Sequence, residues 1–115
     1  MKRNQRLTRS KEINRVRKEG TSFAHPSIVL GFLPNQLARN RTAVIAGRSV
    51  GGAVQRNLAK RRIRSAYQGL IAGVNQGYDL VLIARKPILE IQYEMLVGSL
   101  KSLFDRAGLM KDDVS

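Results

Sequence analysis

Cysteine and tryptophan are absent from the 115 residues, and histidine occurs once, as His25. Without cysteine there is no disulfide framework, no thiolate metal site and no Cys nucleophile. A single histidine excludes a histidine cluster for metal binding or catalysis. The lack of disulfides fits the cytoplasm, which is the expected location. Aromatic residues are few, three Phe and three Tyr. Long apolar runs are missing too. The longest, residues 27–33, is strand-sized and far short of the ~20 residues that span a bilayer. No apolar stretch follows the N-terminal charges, as a secretory signal requires, and Glu12 and Glu19 interrupt those charges, which argues against a transit peptide. Acidic groups are the scarcest of all relative to need: 8 Asp and Glu stand against 21 Lys and Arg, a net charge of +13. What is present is a basic chain, 43% hydrophobic, of the size of one domain with its own core. The ends, residues 1–6 and 110–115, are expected to fray. Such a field attracts a polyanion, either nucleic acid or an anionic membrane surface.

The charge is concentrated. Residues 1–20 hold 8 basic and 2 acidic groups, and residues 48–64 hold 6 basic and none acidic. These two segments supply 12 of the 13 net charges, whereas residues 85–115 balance at 5 against 5. A binding face concentrates charge in this way; general solubility does not require it.

Coarse periodicity predicts the order α-β-β-α-β-α. Residues 10–19 read as a short helix with Ser10 as N-cap, Glu12 in the first turn and Gly20 as the C-terminal stop. Residues 27–33 and 41–47 read as strands, antiparallel to each other because a short connection through Pro34, Asn35 and Asn40 joins them. Gly51 and Gly52 open a long helix over 53–70. Residues 78–84 form a nearly all-apolar strand, expected to be central and covered by helices. Pro87 ends it. A last helix spans 90–107, with Leu96, Leu100, Leu103, Phe104 and Ala107 in one stripe. The class is α+β, a small central sheet with flanking helices.

The 53–70 helix carries the chemistry. At 3.6 residues per turn Ala59, Ile63, Ala66 and Leu70 share the core face. Arg56, Lys60 and Arg64 form a row beside it, Asn57 and Arg61 the next row outward, and Arg62 projects from the opposite flank. Like charges four apart destabilise an isolated helix by a few tenths of a kcal/mol per pair. No acidic residue between Gly47 and Gln68 relieves this. A solvated face interleaves both signs; this one does not, so phosphates from a partner are the natural counter-charge. The other candidates are weak. His25 beside Pro26 reads as a loop residue, and Asp112 and Asp113 as tail carboxylates. The strands lack the charges of an aromatic RNA-reading sheet. No acid/base pair is apparent, so nothing suggests that this chain breaks bonds by itself.

The segment from Gly52 to Arg64 resembles the basic helix of the bacterial ribonuclease P protein family, matching its pattern at Arg56, Asn57, Lys60, Arg61 and Arg64. Arg6 and Leu7 resemble the family's basic start. Residues 10–22 are similar to its first helix and exit, and 79–87, ending Ala-Arg-Lys-Pro, to its last strand. Tyr93 and Leu100 fall where the final helix begins and packs. The resemblance implies a left-handed βαβ crossover through the basic helix. It implies a protein that assists a catalytic RNA in the Mg²⁺-dependent removal of the 5′ leader from precursor tRNA, the RNA and its Mg²⁺ performing the chemistry. The implied partners are ribonuclease P RNA and leader-bearing precursor tRNA, with no membrane and no protein partner required. Arg6, Arg48, Arg56, Asn57, Lys60, Arg61 and Arg64 are then expected to contact RNA, and Ile13, Val16, Arg17, Val29 and Gly31 to line the leader cleft.

Three departures stand out. Leu58 occupies the place of the family's second Arg in its Arg-Asn-Arg run. Ser49 stands where a Lys often follows the position of Arg48. Ile13, Arg17 and Gly31 fall where the family's cleft is usually aromatic. Base stacking on a ring is worth ~1–3 kcal/mol per base, and the guanidinium plane of Arg17 is a partial substitute. Two other classes of protein share some of these features. A structural RNA-binding protein, such as a ribosomal protein, shares charge and size but does not need these motifs in this order. A membrane-surface helix over residues 1–20 would offer only Ile13 and Val16 as aliphatics, too small an apolar face.

Overall fold

The computed structural model describes residues 2–111, and the fold is built on a four-stranded sheet. Helix α1 (Ser10–Glu19) leads into β1 (Thr21–Ala24), β2 (Ile28–Pro34) and β3 (Arg41–Ile45). Helix α2 (Ala53–Gln68) returns the chain to β4 (Tyr78–Ala84), and α3 (Tyr93–Arg106) closes the fold. The strand order is β1-β2-β4-β3, with β3 parallel to β4 and the other pairs antiparallel.

The sheet departs from the expectation in two ways. Strand β1 was not foreseen, because its four residues are mostly exposed and show no apolar run. Strands β2 and β3 do run in opposite directions, but they are not neighbours: β4 lies between them. The most apolar strand takes the position where both edges are paired and both faces covered, and five of its seven residues are buried.

Side chains alternate across the sheet. Leu30, Leu80, Leu82 and Ala84 face α2 and α3, in a core completed by Ala59, Ile63, Tyr67, Leu100 and Phe104. Val81 and Ala43 face the other way, against Leu7 and Val16, with Ile13, Leu33, Ile45 and Ile83 partly buried around them. Helix α1 thus covers one face, and α2 with α3 cover the other.

Several local expectations need correction. Ser10 is the first helical residue of α1, Arg9 is the N-cap, and no side chain caps the helix. Glu12 instead spends its carboxylate on Arg41, at 2.7 Å. Gly20 is extended (φ −78°) rather than left-handed. Glycine is required there because a Cβ would lie 2.4 Å from the Phe32 carbonyl oxygen and 2.5 Å from that of Val16. Helix α2 ends two residues early, so Tyr67 rather than Leu70 completes its buried stripe. Residues 86–89 form a 3-10 turn, and α3 starts only at Tyr93. The ends are tied down as far as they are described. Arg6 bridges Thr42 beside β3, and Met110 bridges Val74. Asp112 and Asp113 lie outside the described residues.

Candidate nucleic-acid interface

Helix α2 lies with Ala59, Ile63, Ala66 and Tyr67 buried, which turns its cations outward. Asn57, Arg61 and Arg64 are exposed, and Arg56 and Lys60 are half-buried at the base of the row. Arg48 is exposed in the turn before the helix. Among the described residues, the ion pairs join Arg9, Arg15 and Arg41 to Glu12, Glu19 and Asp79, and none involves α2. The repulsion along the α2 row is therefore unrelieved within the described chain.

Arg62 behaves differently. Its guanidinium donates to the carbonyl oxygen of Ile88 at 2.6 Å and to that of Ile91. It pins the 3-10 turn after β4 onto α2, a packing role in keeping with its place on the far flank.

At the edge of β3 the chain brings together residues that are distant in sequence. Arg6, Leu7, Thr8, Ile13, Ala43, Ile45 and Arg64 line a groove of about 220 Å³ with Thr42 and Val44. Of the expected contact residues, Arg6, Arg64 and Ile13 meet here. Arg56, Asn57, Lys60 and Arg61 lie elsewhere on α2, and Arg48 in the turn that precedes it. Sequence reasoning missed Thr8, Ala43 and Ile45. Period-2 alternation along 41–45 would have placed Ala43 and Ile45 on one face, but not beside Ile13.

The expected leader cleft is only partly formed by its nominated residues. Val16 is 1% exposed and belongs to the core under α1. Gly31 is also buried, and a Cβ on it would meet Val16 Cγ1 at 3.7 Å. Both are corrected to packing positions: Val16 is the buried residue of α1, and it packs over Gly31 of β2. Ile13 and Val29 are half-buried and Arg17 is exposed.

One polar network fixes where α1 sits. Arg41 of β3 donates through Nε and Nη2 to both oxygens of Asp79, at 2.9 and 2.8 Å. The same Nη2 reaches Glu12 of α1. Asn35 adds a bond to Asp79 at 3.0 Å. The Arg41 guanidinium is held even more firmly protonated than usual, first by its bonds to Asp79 and then, against some desolvation, by Glu12. On the other face, burial pushes the Tyr67 phenol up, opposed by its hydrogen bond with the Thr42 hydroxyl at 3.2 Å.

A four-stranded α+β domain whose Arg/Lys helix has no ion-pair partner among the described residues has the character of a polyanion-binding protein. The ribonuclease P family profile matches residues 1–108. A ribonuclease P protein component from Chloroflexus aurantiacus is 36% identical over 111 residues, covering 96% of this chain and 82% of the relative. One from Symbiobacterium thermophilum is 38% identical over 112 residues, covering 96% and 97%. The solved ribonuclease P protein of Thermotoga maritima superposes with a TM-score of 0.79 at 26% identity, covering 88% of this chain and 96% of that one. That of Staphylococcus aureus, at 24% identity and a TM-score of 0.82, covers 93% and 98% and shares the fold. The chain belongs to the ribonuclease P protein family, and its function is that of a protein subunit of this RNA-based endoribonuclease.

Proposed function

We propose that α2 is the main contact with ribonuclease P RNA, and that the surface between α1 and the C-terminal ends of β3 and β4 receives the single-stranded 5′ leader of precursor tRNA. The observation that carries this is the set Arg56, Lys60, Arg61 and Arg64, four cations on one helix with no carboxylate partner among the described residues. Phosphate oxygens supply the missing counter-charge, and Arg forks match their geometry. Asn57 donates and accepts in the same row. Arg6 and Arg48 extend the positive surface at either end.

On the opposite face of the sheet Ile13, Val29, Ile45 and Ile83 present a half-buried aliphatic floor flanked by Arg17. With no ring in this cleft, leader binding rests on aliphatic contact, on Arg17 stacking and on charge. The role of the chain is positional: it holds substrate phosphates while the RNA carries the chemistry. The family implies Mg²⁺, and among the described residues no group of three or more carboxylates or histidines gathers to hold it. Glu12 and Asp79, the two that converge, are both bonded to Arg41. The ions would be held by the RNA.

The test is cleavage of precursor tRNA by a bacterial ribonuclease P RNA at low Mg²⁺, with and without the chain. Stimulation is expected. Its absence sinks the reading and returns the chain to a purely structural RNA-binding role.

A further inference from the structure

Strand β3 is an edge strand only half closed. Leu7 N–H donates to the Thr42 carbonyl at 2.9 Å, so the N–H and C=O of Thr42 point away from β4. In a strand, groups two residues apart point the same way. The N–H and C=O of Val44 therefore also face the open edge. The rest of the sheet agrees. His25 and Ile28 exchange bonds, and Arg85 N–H reaches the Ser27 carbonyl, which sets the alternation across β2 and β4 in the same phase. After Leu7 the N-terminal segment turns away into α1, and among the described residues no backbone group pairs with Val44 on that side.

The groove at this edge has a particular chemistry. Its walls carry two cations, Arg6 and Arg64, and no carboxylate. Among the described residues neither cation has an ion-pair partner. Ile13, Ala43 and Ile45 supply an aliphatic wall, and Thr8 a hydroxyl. An extended peptide would match the edge but not the two free arginines. A phosphodiester chain matches the arginines, and its bases match the edge. Each RNA base carries an acceptor beside a donor on its Watson–Crick edge, the complement of one residue's N–H and C=O.

We propose that the open edge of β3 at Val44 binds one unpaired nucleotide of the 5′ leader, its Watson–Crick edge on the Val44 backbone and its phosphate at Arg6, with Arg64 at the seam between the leader and the ribonuclease P RNA held by α2. The groove shares Ile13 with the Arg17 side of α1, which makes it a continuation of the leader surface. The inference thus rests on the leader reading above and deepens it. Two properties follow. The site takes any base, because all four present such a donor–acceptor pair. It refuses a paired base, whose Watson–Crick edge is occupied. A chain with no aromatic side chain in its cleft would in this way register single-strandedness through its own backbone.

The experiment is amide hydrogen exchange at Val44 in the full chain, measured free, with ribonuclease P RNA, then with leaderless tRNA, and then with leader-bearing precursor. The expectation is fast exchange until the leader is present, then slowing by about tenfold, the worth of one good hydrogen bond. Protection by the RNA subunit alone would give the edge to that RNA and overturn the proposal. Protection that grows with protein concentration in the absence of RNA would give it to a second copy, with the same effect. If the leader alters residues 13–17 and 29 but not Val44, this site fails while the leader surface stands. If no amide responds to the leader, the leader reading fails as a whole.

Discussion

Arg62 differs from the other cations of α2 in being bonded to the protein itself. Replacing it by alanine leaves the carbonyls of Ile88 and Ile91 without their charged donor. A hydrogen bond to a charged group contributes ~1.5–3 kcal/mol. Arg62 is half-buried, so water can recover part of each bond, and two bonds at the low end give a loss of about 2–3 kcal/mol. The cost adds the lost packing of the aliphatic stem against the turn at 86–89. Urea unfolding reads this as a lower midpoint with an unchanged slope. The companion variant is Arg61→Ala, one residue away, exposed and without a hydrogen bond to protein among the described residues. It should change stability by no more than about 0.5 kcal/mol. RNA binding should show the reverse: Arg62→Ala, where folded, keeps the salt dependence of the parent, and Arg61→Ala weakens it. An Arg62→Ala protein as stable as the parent would refute the reasoning, and so would one whose salt dependence falls as far as that of Arg61→Ala.

Other substitutions test other parts of the account. Gly20→Ala forces a Cβ against two backbone oxygens; differential scanning calorimetry should show a loss of about 1–3 kcal/mol, as for overpacking, and a neutral result would mean the α1–β1 corner yields freely. Tyr67 is buried neutral with a raised pKa. Above pH ~10 the unfolded chain releases this proton while the folded one retains it, so stability falls as pH rises through that range. Tyr67→Phe should flatten part of that decline in urea titrations between pH 8 and 11, and an identical pH profile would contradict the assignment. Arg17→Ala should lower affinity for leader-bearing precursor while leaving leaderless tRNA unaffected; equal losses on both would remove Arg17 from the leader surface.

The legible parts of the structure were those with a strong period or a strong composition. The stripe of α3 and the apolar run of β4 announced themselves, and the absence of acids along 48–64 marked the basic face of α2. Parts decided by tertiary geometry were not legible. Strand β1 exists because β2 offers it an edge, not because Thr21, Ser22 and Ala24 favour a strand. The position of β4 between β2 and β3 follows from double-sided burial, which a short β2–β3 connection seemed to contradict. Val16 and Gly31 fell at positions where the family resemblance implied a cleft. In the fold Val16 is a core residue of α1 packed over Gly31 of β2, so neither is open to a ligand. The meeting of Arg6 with Arg64 at the β3 edge joins residues 58 positions apart, and no local pattern reports it. Leu58, exposed on α2, stands where the family has an arginine, and nothing in the structure explains the exchange.

The central claim is that the α2 cations neutralise RNA phosphates. It is tested most directly by the salt dependence of binding to ribonuclease P RNA. Four neutralised phosphates of single-stranded character contribute a slope in log K against log[salt] of about −3, and each cation about −0.7. Lys60→Ala should therefore make the slope shallower by a little under one unit, and replacing Arg56, Lys60, Arg61 and Arg64 together should remove about three. A folded quadruple variant with the parent's slope would place the RNA on another face of the protein.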